Sequence, residues 1–295
     1  MSFVATLIAN PARPVVSADL ADRVSKAVDA SRVDWLDRDI AADIHLPAGI
    51  TAEDAAARLR DVIGDAPVDI AVQEASGRRK KLLIADMDST MIDQECIDEL
   101  ADEVGLKQHV AAITARSMNG ELAFEPALRE RVALLAGLEA SVIDRIIENR
   151  ITLAAGGKVL VATMNADGAW TALVSGGFLS FTGQIAAKLG FRENRANTLL
   201  VRDGRLEGTV AEPILGRAAK AEALKDMTAR LGISVEDAIA VGDGANDLDM
   251  LSLAGTGVAL HAKPAVAAQA RVRIDHGDLT ALLYLQGYRR EEFVA

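Results

Sequence analysis

The chain has 295 residues, half of them hydrophobic and a quarter charged, which is ordinary for a globular protein and enough for two domains. Its formal net charge of −11 argues against nucleic acid or an anionic membrane as the main partner. It leaves an anionic small substrate open, because a bound metal or a few local cations reverse the field inside one pocket. Cys96 is the only cysteine, which excludes an intrachain disulfide, and no apolar run approaches the length of a membrane span. The start, Met1-Ser2-Phe3-Val4, lacks the basic region and apolar core of a secretory signal, so a cytoplasmic location is expected.

The pattern predicts a strand over 3–9 and a helix over 17–30, with Ser17 as N-cap and Leu20, Val24 and Val28 at helical spacing. Strands over 33–39 and 41–46, a helix over 51–63 and a strand over 68–73 follow. This strand-helix-strand-strand-helix-strand order is a split βαβ sandwich, a small ferredoxin-like α+β domain over residues 1–76. The polar stretch 74–80 reads as a linker into a second domain over 80–295.

The second domain opens with a strand over 80–85, apolar enough for burial on both faces of a parallel sheet. From Thr90 to about Leu153 the chain is helical, with apolar spacing over 97–104, 110–118, 126–135 and 139–149. That is too much helix for one crossover, so it is expected to be an inserted cap at about 95–155. Alternation then resumes: helix 157–164, strand 171–174, helix 178–189, a hairpin of 197–201 and 205–210 about Asp203-Gly204, helix 216–231, strand 238–241, helix 246–254, and late strands at 257–260 and 272–274. The expected class is α/β, a doubly wound parallel-sheet hydrolase core carrying a helical cap.

Three strand ends hold groups capable of chemistry. The first, Asp86-Met87-Asp88-Ser89-Thr90, follows Leu82-Leu83-Ile84-Ala85 and places two carboxylates two residues apart. At the C-terminal end of a buried strand the two form a compact anionic site, where ligands gather in open α/β sheets. A capping Asp pair before a helix starting near Ile92 is the alternative. The second, Val241-Gly242-Asp243-Gly244-Ala245-Asn246-Asp247, follows another apolar strand and reads equally as a glycine-rich turn with an N-cap. The third, Ser175-Gly176-Gly177, offers a hydroxyl and backbone N–H groups at a helix start, which suits a phosphate or an ordinary capped turn. Lys220 lies in the next helix.

Taken in order, D-x-D-x-T, Ser-Gly-Gly, Lys and G-D-G-x-N-D resemble the haloacid dehalogenase superfamily of aspartate-nucleophile phosphatases over about residues 80–285. The resemblance implies Mg²⁺ held by Asp86, Asp243 and the backbone carbonyl of Asp88. It makes Asp86 the nucleophile and Asp88 the general acid and then base. Ser175, Gly176 and Lys220 would stabilise the transferring oxygens, with Asn246 binding there and Gly177 and Asp247 in support.

Glu95 and the insert segment Met118-Asn119-Gly120-Glu121-Leu122-Ala123-Phe124, continuing to Arg131, are similar to the phosphoserine phosphatase family within that superfamily. By that likeness Glu95 holds the ammonium and Arg131 the carboxylate of phosphoserine, while Met118 and Phe124 close over the site. Read without it, Glu95 is a first-turn helix acid, Arg131 a solvated charge no better than Arg129, and Met118 and Phe124 core residues. The expected reaction is hydrolysis of O-phosphoserine at the end of serine biosynthesis. A phosphotransferase passing the group to homoserine or another alcohol, and a non-catalytic amino-acid sensor, are the alternatives. The N-terminal domain resembles ACT-type modules by element order, which implies a homodimerising role or a site for an amino acid such as serine.

Overall fold

The computed structural model describes residues 2–295. Its first part runs β1 (Phe3–Ala9), α1 (Ala18–Ala27), β2 (Arg32–Asp37), β3 (Ala41–His45), α2 (Ala52–Ile63) and β4 (Val68–Glu74). The strands lie in the order β2-β3-β1-β4 with every neighbour antiparallel, the split βαβ arrangement. Ser17 and Thr51 cap the two helices by accepting from Leu20 N–H and Asp54 N–H, donors that have no partner within the helix. Strand alternation divides β1 between two cores. Ala5, Leu7 and Ala9 pack beneath the helices, and Ile8 faces the rest of the molecule.

The remainder begins with β5 (Leu82–Ala85) and four helices: α3 (Cys96–Asp102), α4 (Lys107–Met118), α5 (Phe124–Ala133) and α6 (Val142–Asn149). It continues with α7 (Gly157–Ala166), β6 (Trp170–Phe178), α8 (Leu179–Leu189), β7 (Glu193–Asn197), β8 (Leu199–Arg202), β9 (Arg205–Val210) and α9 (Arg217–Leu231). Last come β10 (Ala238–Gly242), α10 (Leu248–Leu253), β11 (Thr256–Leu260), α11 (Pro264–Ala267), β12 (Val272–Ile274) and α12 (Ala281–Leu285). Six strands form one parallel sheet in the order β12-β11-β10-β5-β6-β7. The chain winds outward from β5 through β6 to β7, then restarts on the other side at β10. The switch point, where ligands collect in such sheets, therefore lies at the C-terminal ends of β5 and β10. Leu83 and Ala85 point into one core and Leu82 and Ile84 into the other, which is why β5 is apolar throughout. Each such large side chain contributes about 1.5–3 kcal/mol by burial.

The helices α3 to α6 form the insert, and its two ends are tied together. Ile92 and Leu153 form an isolated antiparallel bridge, Asp93 N–H donates to Thr152 O, and Ala154 N–H donates to Met91 O. The cap thus stands on a two-strand neck.

Several elements differ from expectation. No helix starts near Ile92; the chain runs through the neck and α3 begins at Cys96. The strand expected over 171–174 continues to Phe178 through a register shift against β7. Asn197 ends β7 in the main sheet, so the hairpin starts only at Leu199. The helix expected over 246–254 is a 3-10 turn, Ala245–Asp247, followed by α10. β7 and α12 carry no periodicity that would have revealed them.

The stretch read as a linker carries a structural residue. Arg78 donates to both oxygens of Asp43 in β3, at 2.6 and 3.1 Å, to Thr6 Oγ1, and to the carbonyls of Tyr284 and Leu285 in α12. Gln73 Nε2 also reaches Leu285 O, Tyr284 donates to Asp37, and Asp69 accepts from the N–H groups of Asp275, His276 and Gly277. The sheet face opposite α1 and α2 is therefore docked on α12. Arg78→Met leaves Asp43 buried without its counter-charge and is expected to cost about 3–5 kcal/mol. Urea denaturation checks this, and adding Asp43→Asn in the same chain is expected to recover part of the loss.

Candidate active site

Asp86 sits where β5 stops. Its N–H still completes the ladder to Val241 O at 3.0 Å, but Met87 N–H turns back onto Asp86 Oδ1 at 2.7 Å. The chain leaves the strand in this turn, and Asp86 and Asp88 face one cavity between sheet and cap. Ser89 continues the turn with φ of +54°, left-handed backbone that costs a non-glycine residue about 1–2 kcal/mol. Its N–H is held by Gln94 O and its hydroxyl donates to Glu95 Oε1 at 2.7 Å, which aims Glu95 at the cavity.

The cavity is lined by Asp86, Asp88, Glu95, Met118, Phe124, Arg131, Ser175, Gly176, Gly177, Asp243 and Asn246. Lys220 and Asp247 stand behind this lining. Lys220 Nζ lies 2.8 Å from Asp86 Oδ1 and 2.6 Å from Asp247 Oδ1, fully buried. Every residue expected at the site is thus brought to one place. Arg129, by contrast, is on the surface with Glu212 and Glu125. Arg131 is 2% exposed; Nε donates to Ala127 O and Nη1 to Thr114 Oγ1, and among the described residues no carboxylate lies within ion-pair distance. Its remaining N–H donors are free for a ligand.

Negative charge dominates the site. Burial, with the Asp86 charge adding to it, pushes the carboxyl groups of Asp88 and Asp243 up to about 6 and that of Asp247 up to about 8. Burial and the charges of Asp88 and Asp243 raise Glu95 well above the usual carboxylate range. Burial works against the Lys220 charge, but Asp247 and Asp86 outweigh it and its pKa is raised. A bridge whose acid and base are both raised signals an excess of acid: one ammonium cannot neutralise every carboxylate around it. Burial alone accounts for the lowered pKa of Arg131, against the pull of Glu95 and Asp98.

This excess is what a cation would relieve. Oxygens of Asp86, Asp243 and Asp247 lie within 4.8 Å of one another, and Asp243 Oδ2 is buried without a hydrogen-bond partner. An all-oxygen donor set of this kind fits a hard divalent ion. Asp88 joins by none of these side-chain contacts; its Oδ1 accepts from Cys96 N–H at 3.0 Å.

The cap seats on glycine. A Cβ on Gly176 would lie 2.6 Å from Phe124 Cζ, one on Gly216 3.2 Å from Phe124 Cδ1, and one on Gly244 2.8 Å from Met118 Sδ. Phe124 and Met118 therefore occupy the space that side chains at these positions would fill.

Buried acids crowding one lysine at the switch point of a parallel sheet, beneath a cap, suit hydrolysis of an anionic ester from an aspartate at the head of the first core strand. The chain belongs to the haloacid dehalogenase-like hydrolases, whose family model matches residues 83–252. It is 38% identical to the phosphoserine phosphatase of Streptomyces coelicolor over 98% of this chain and 72% of that one. Among solved structures, a haloacid dehalogenase family hydrolase of Salmonella enterica superposes with a TM-score of 0.84 at 31% identity, covering 96% of this chain and 98% of that one. A phospho-aspartyl intermediate analogue of a phosphoserine phosphatase superposes with a TM-score of 0.67 at 40% identity, covering 70% of this chain and 98% of that one.

Some residues at the site were not singled out from the sequence. Thr90 Oγ1 donates to Asp243 Oδ1 at 3.0 Å, Thr114 stands between Asp98 and Arg131, and Lys263 Nζ is 3.5 Å from Asp243 Oδ2. Thr90 had a signal, being the last residue of D-x-D-x-T; Thr114 and Lys263 had none beyond ordinary polarity.

Adding a divalent cation is expected to raise the thermal midpoint, by linkage worth about 2.7 kcal/mol at a hundredfold excess over Kd. Scanning calorimetry with and without chelator measures this, and Asp243→Asn should remove most of the shift.

Proposed function

We propose that the protein hydrolyses O-phosphoserine to serine and phosphate, the last step of serine biosynthesis, in the cytoplasm and with Mg²⁺ as its cation. The observation that carries the reading is the pair of opposite handles on the cap side of the cavity. Glu95 and Arg131 match the ammonium and carboxylate of an amino acid, while Asp86 and the Ser175–Gly177 turn face its phosphate end. The phosphoserine phosphatases among the relatives support the same substrate.

The chemistry follows from the residues. Lys220 and Met87 N–H fix Asp86 Oδ1, which orients the carboxylate for attack on phosphorus. As the P–O ester bond breaks, Asp88 gives its proton to the serine oxygen, and an aspartyl-phosphate forms on Asp86. Asp88 then takes a proton from the water that displaces phosphate. The Ser175 hydroxyl, Gly176 N–H and Lys220 bear the charge on the transferring oxygens, with Asn246 beside them and Gly177 and Asp247 holding Ser175 and Lys220. A cation held by Asp86 and Asp243, with the Asp88 carbonyl or Asp247, supplies the positive charge that lets one anion approach another.

Phosphate release should be Mg²⁺-dependent and fastest for phosphoserine among phosphoserine, phosphothreonine, phosphohomoserine and an aryl phosphate. Asp86→Asn is expected to lower it by about 10³-fold or more; unchanged release would remove Asp86 as nucleophile. Arg131→Met should reduce kcat/KM for phosphoserine by about 10- to 100-fold, with aryl phosphate little affected. Serine phosphate transfer to added homoserine, read by product analysis, would favour a phosphotransferase, and no turnover at all would favour a sensor.

Because Asp88 acts as an acid only while protonated, alkoxide release should slow as pH rises above about 6. An aryl phosphate, whose leaving group needs no proton, should show a weaker decline, and pH profiles of the two substrates compare them.

The N-terminal part is assigned as an ACT-like module that dimerises the chain or binds serine. Its α1–α2 face and β2 edge are the surfaces left for this, the other sheet face being docked on α12. Light scattering and activity of the full chain with and without serine test it; a monomer indifferent to serine refutes it.

A further inference from the structure

Asn197 is 3% exposed at the end of β7 and does not line the cavity. Its amide is nevertheless committed to two segments that do the work of the site. Nδ2 donates to Gly176 O at 2.8 Å and to Leu215 O at 3.1 Å, and Oδ1 accepts from Leu215 N–H at 2.6 Å. Two carbonyls require the NH₂ and one N–H requires the oxygen, so only one orientation of the amide satisfies them.

Each contact bears on a reacting group. The carbonyl of Gly176 and the N–H of Gly177 share one peptide plane. That N–H donates to Ser175 Oγ at 2.9 Å, so fixing Gly176 O also fixes the hydroxyl of Ser175 and leaves its proton free for the cavity. Leu215 precedes Gly216, the N-cap of α9, and Lys220 N–H closes the first turn onto Gly216 O at 3.1 Å. The ring of Phe124 rests across the same two glycine segments. Among the described residues Asn197 is the one side chain hydrogen-bonded to both.

We propose that Asn197 is a positioning residue for phosphoryl transfer, joining the phosphate seat at Ser175–Gly177 to the start of the Lys220 helix so that hydroxyl, ammonium and cap floor keep one geometry. The inference rests on reading this site as a phosphate seat, not on the identity of the phosphoester.

Asn197→Asp tests it. The carboxylate keeps the shape and can still accept from Leu215 N–H, but it donates to neither carbonyl. The probes are inorganic phosphate as inhibitor and an aryl phosphate as substrate, with Mg²⁺ present. The expected result is a rise of about tenfold or more in the phosphate inhibition constant and in KM, with a fall in kcat. A role confined to stability would lower the active fraction, and with it apparent kcat, while leaving KM and the inhibition constant within about threefold of the wild type; that result overturns the proposal. If Asn197→Asp does not fold, Asn197→Ser, too short to span both carbonyls, is judged by the same two constants. A wild-type chain that neither cleaves the aryl phosphate nor responds to phosphate overturns the phosphate seat and this inference together. A wild-type chain that cleaves it but not phosphoserine removes only the substrate assignment.

Discussion

One lysine faces too many carboxylates. Lys220 is fully buried between Asp86 and Asp247, with Asp243 and Asp88 close by, and the rest of the site follows from that imbalance. Burying unpaired charge in a protein interior is costly, and an interior that does so needs a partner from outside. A divalent cation answers part of the demand. The remainder shows in the carboxyls themselves, with Asp88 and Asp243 raised to about 6 and Asp247 to about 8. The same excess of acid leaves Asp243 Oδ2 buried without a hydrogen bond, with Lys263 Nζ 3.5 Å away.

Folding places this concentration of charge at the switch point of the sheet. β5 and β10 lie side by side and end together, and the chain departs in opposite directions from them. Their turns contribute acids, the β6 turn contributes hydroxyl and amides, and α9 brings the lysine from behind. Two residues of the cap, Phe124 and Met118, fit against glycines of the core, in space that side chains there would fill.

The site was more legible than the framework that holds it. Asp86, Asp88 and Asp243 stood out because their chemistry is dense, local and placed after short apolar runs, while Lys220, on a helix, gained weight only from their company. Asn197 did not. Glu193-Asn194-Arg195-Ala196-Asn197 is a polar strand at the sheet edge, where half-cover leaves no apolar alternation to read, and it merged with the hairpin that follows. Ala281–Leu285 failed for the opposite reason: buried on every side, it has no polar face to set a period. Arg78 was hidden by its company, one cation in a polar stretch with the composition of a tether. Long-range partners such as Asp43 and α12 are properties of the fold and leave no local trace.

The neck that carries the cap has its root beside α12. Ala154 N–H is bonded to Met91 O, and the next residue, Ala155, accepts from Leu279 N–H just ahead of α12. That helix is the surface on which Arg78, Gln73 and Asp37 seat the N-terminal sheet. The base of the cap is thus set in the same foundation as the first four strands.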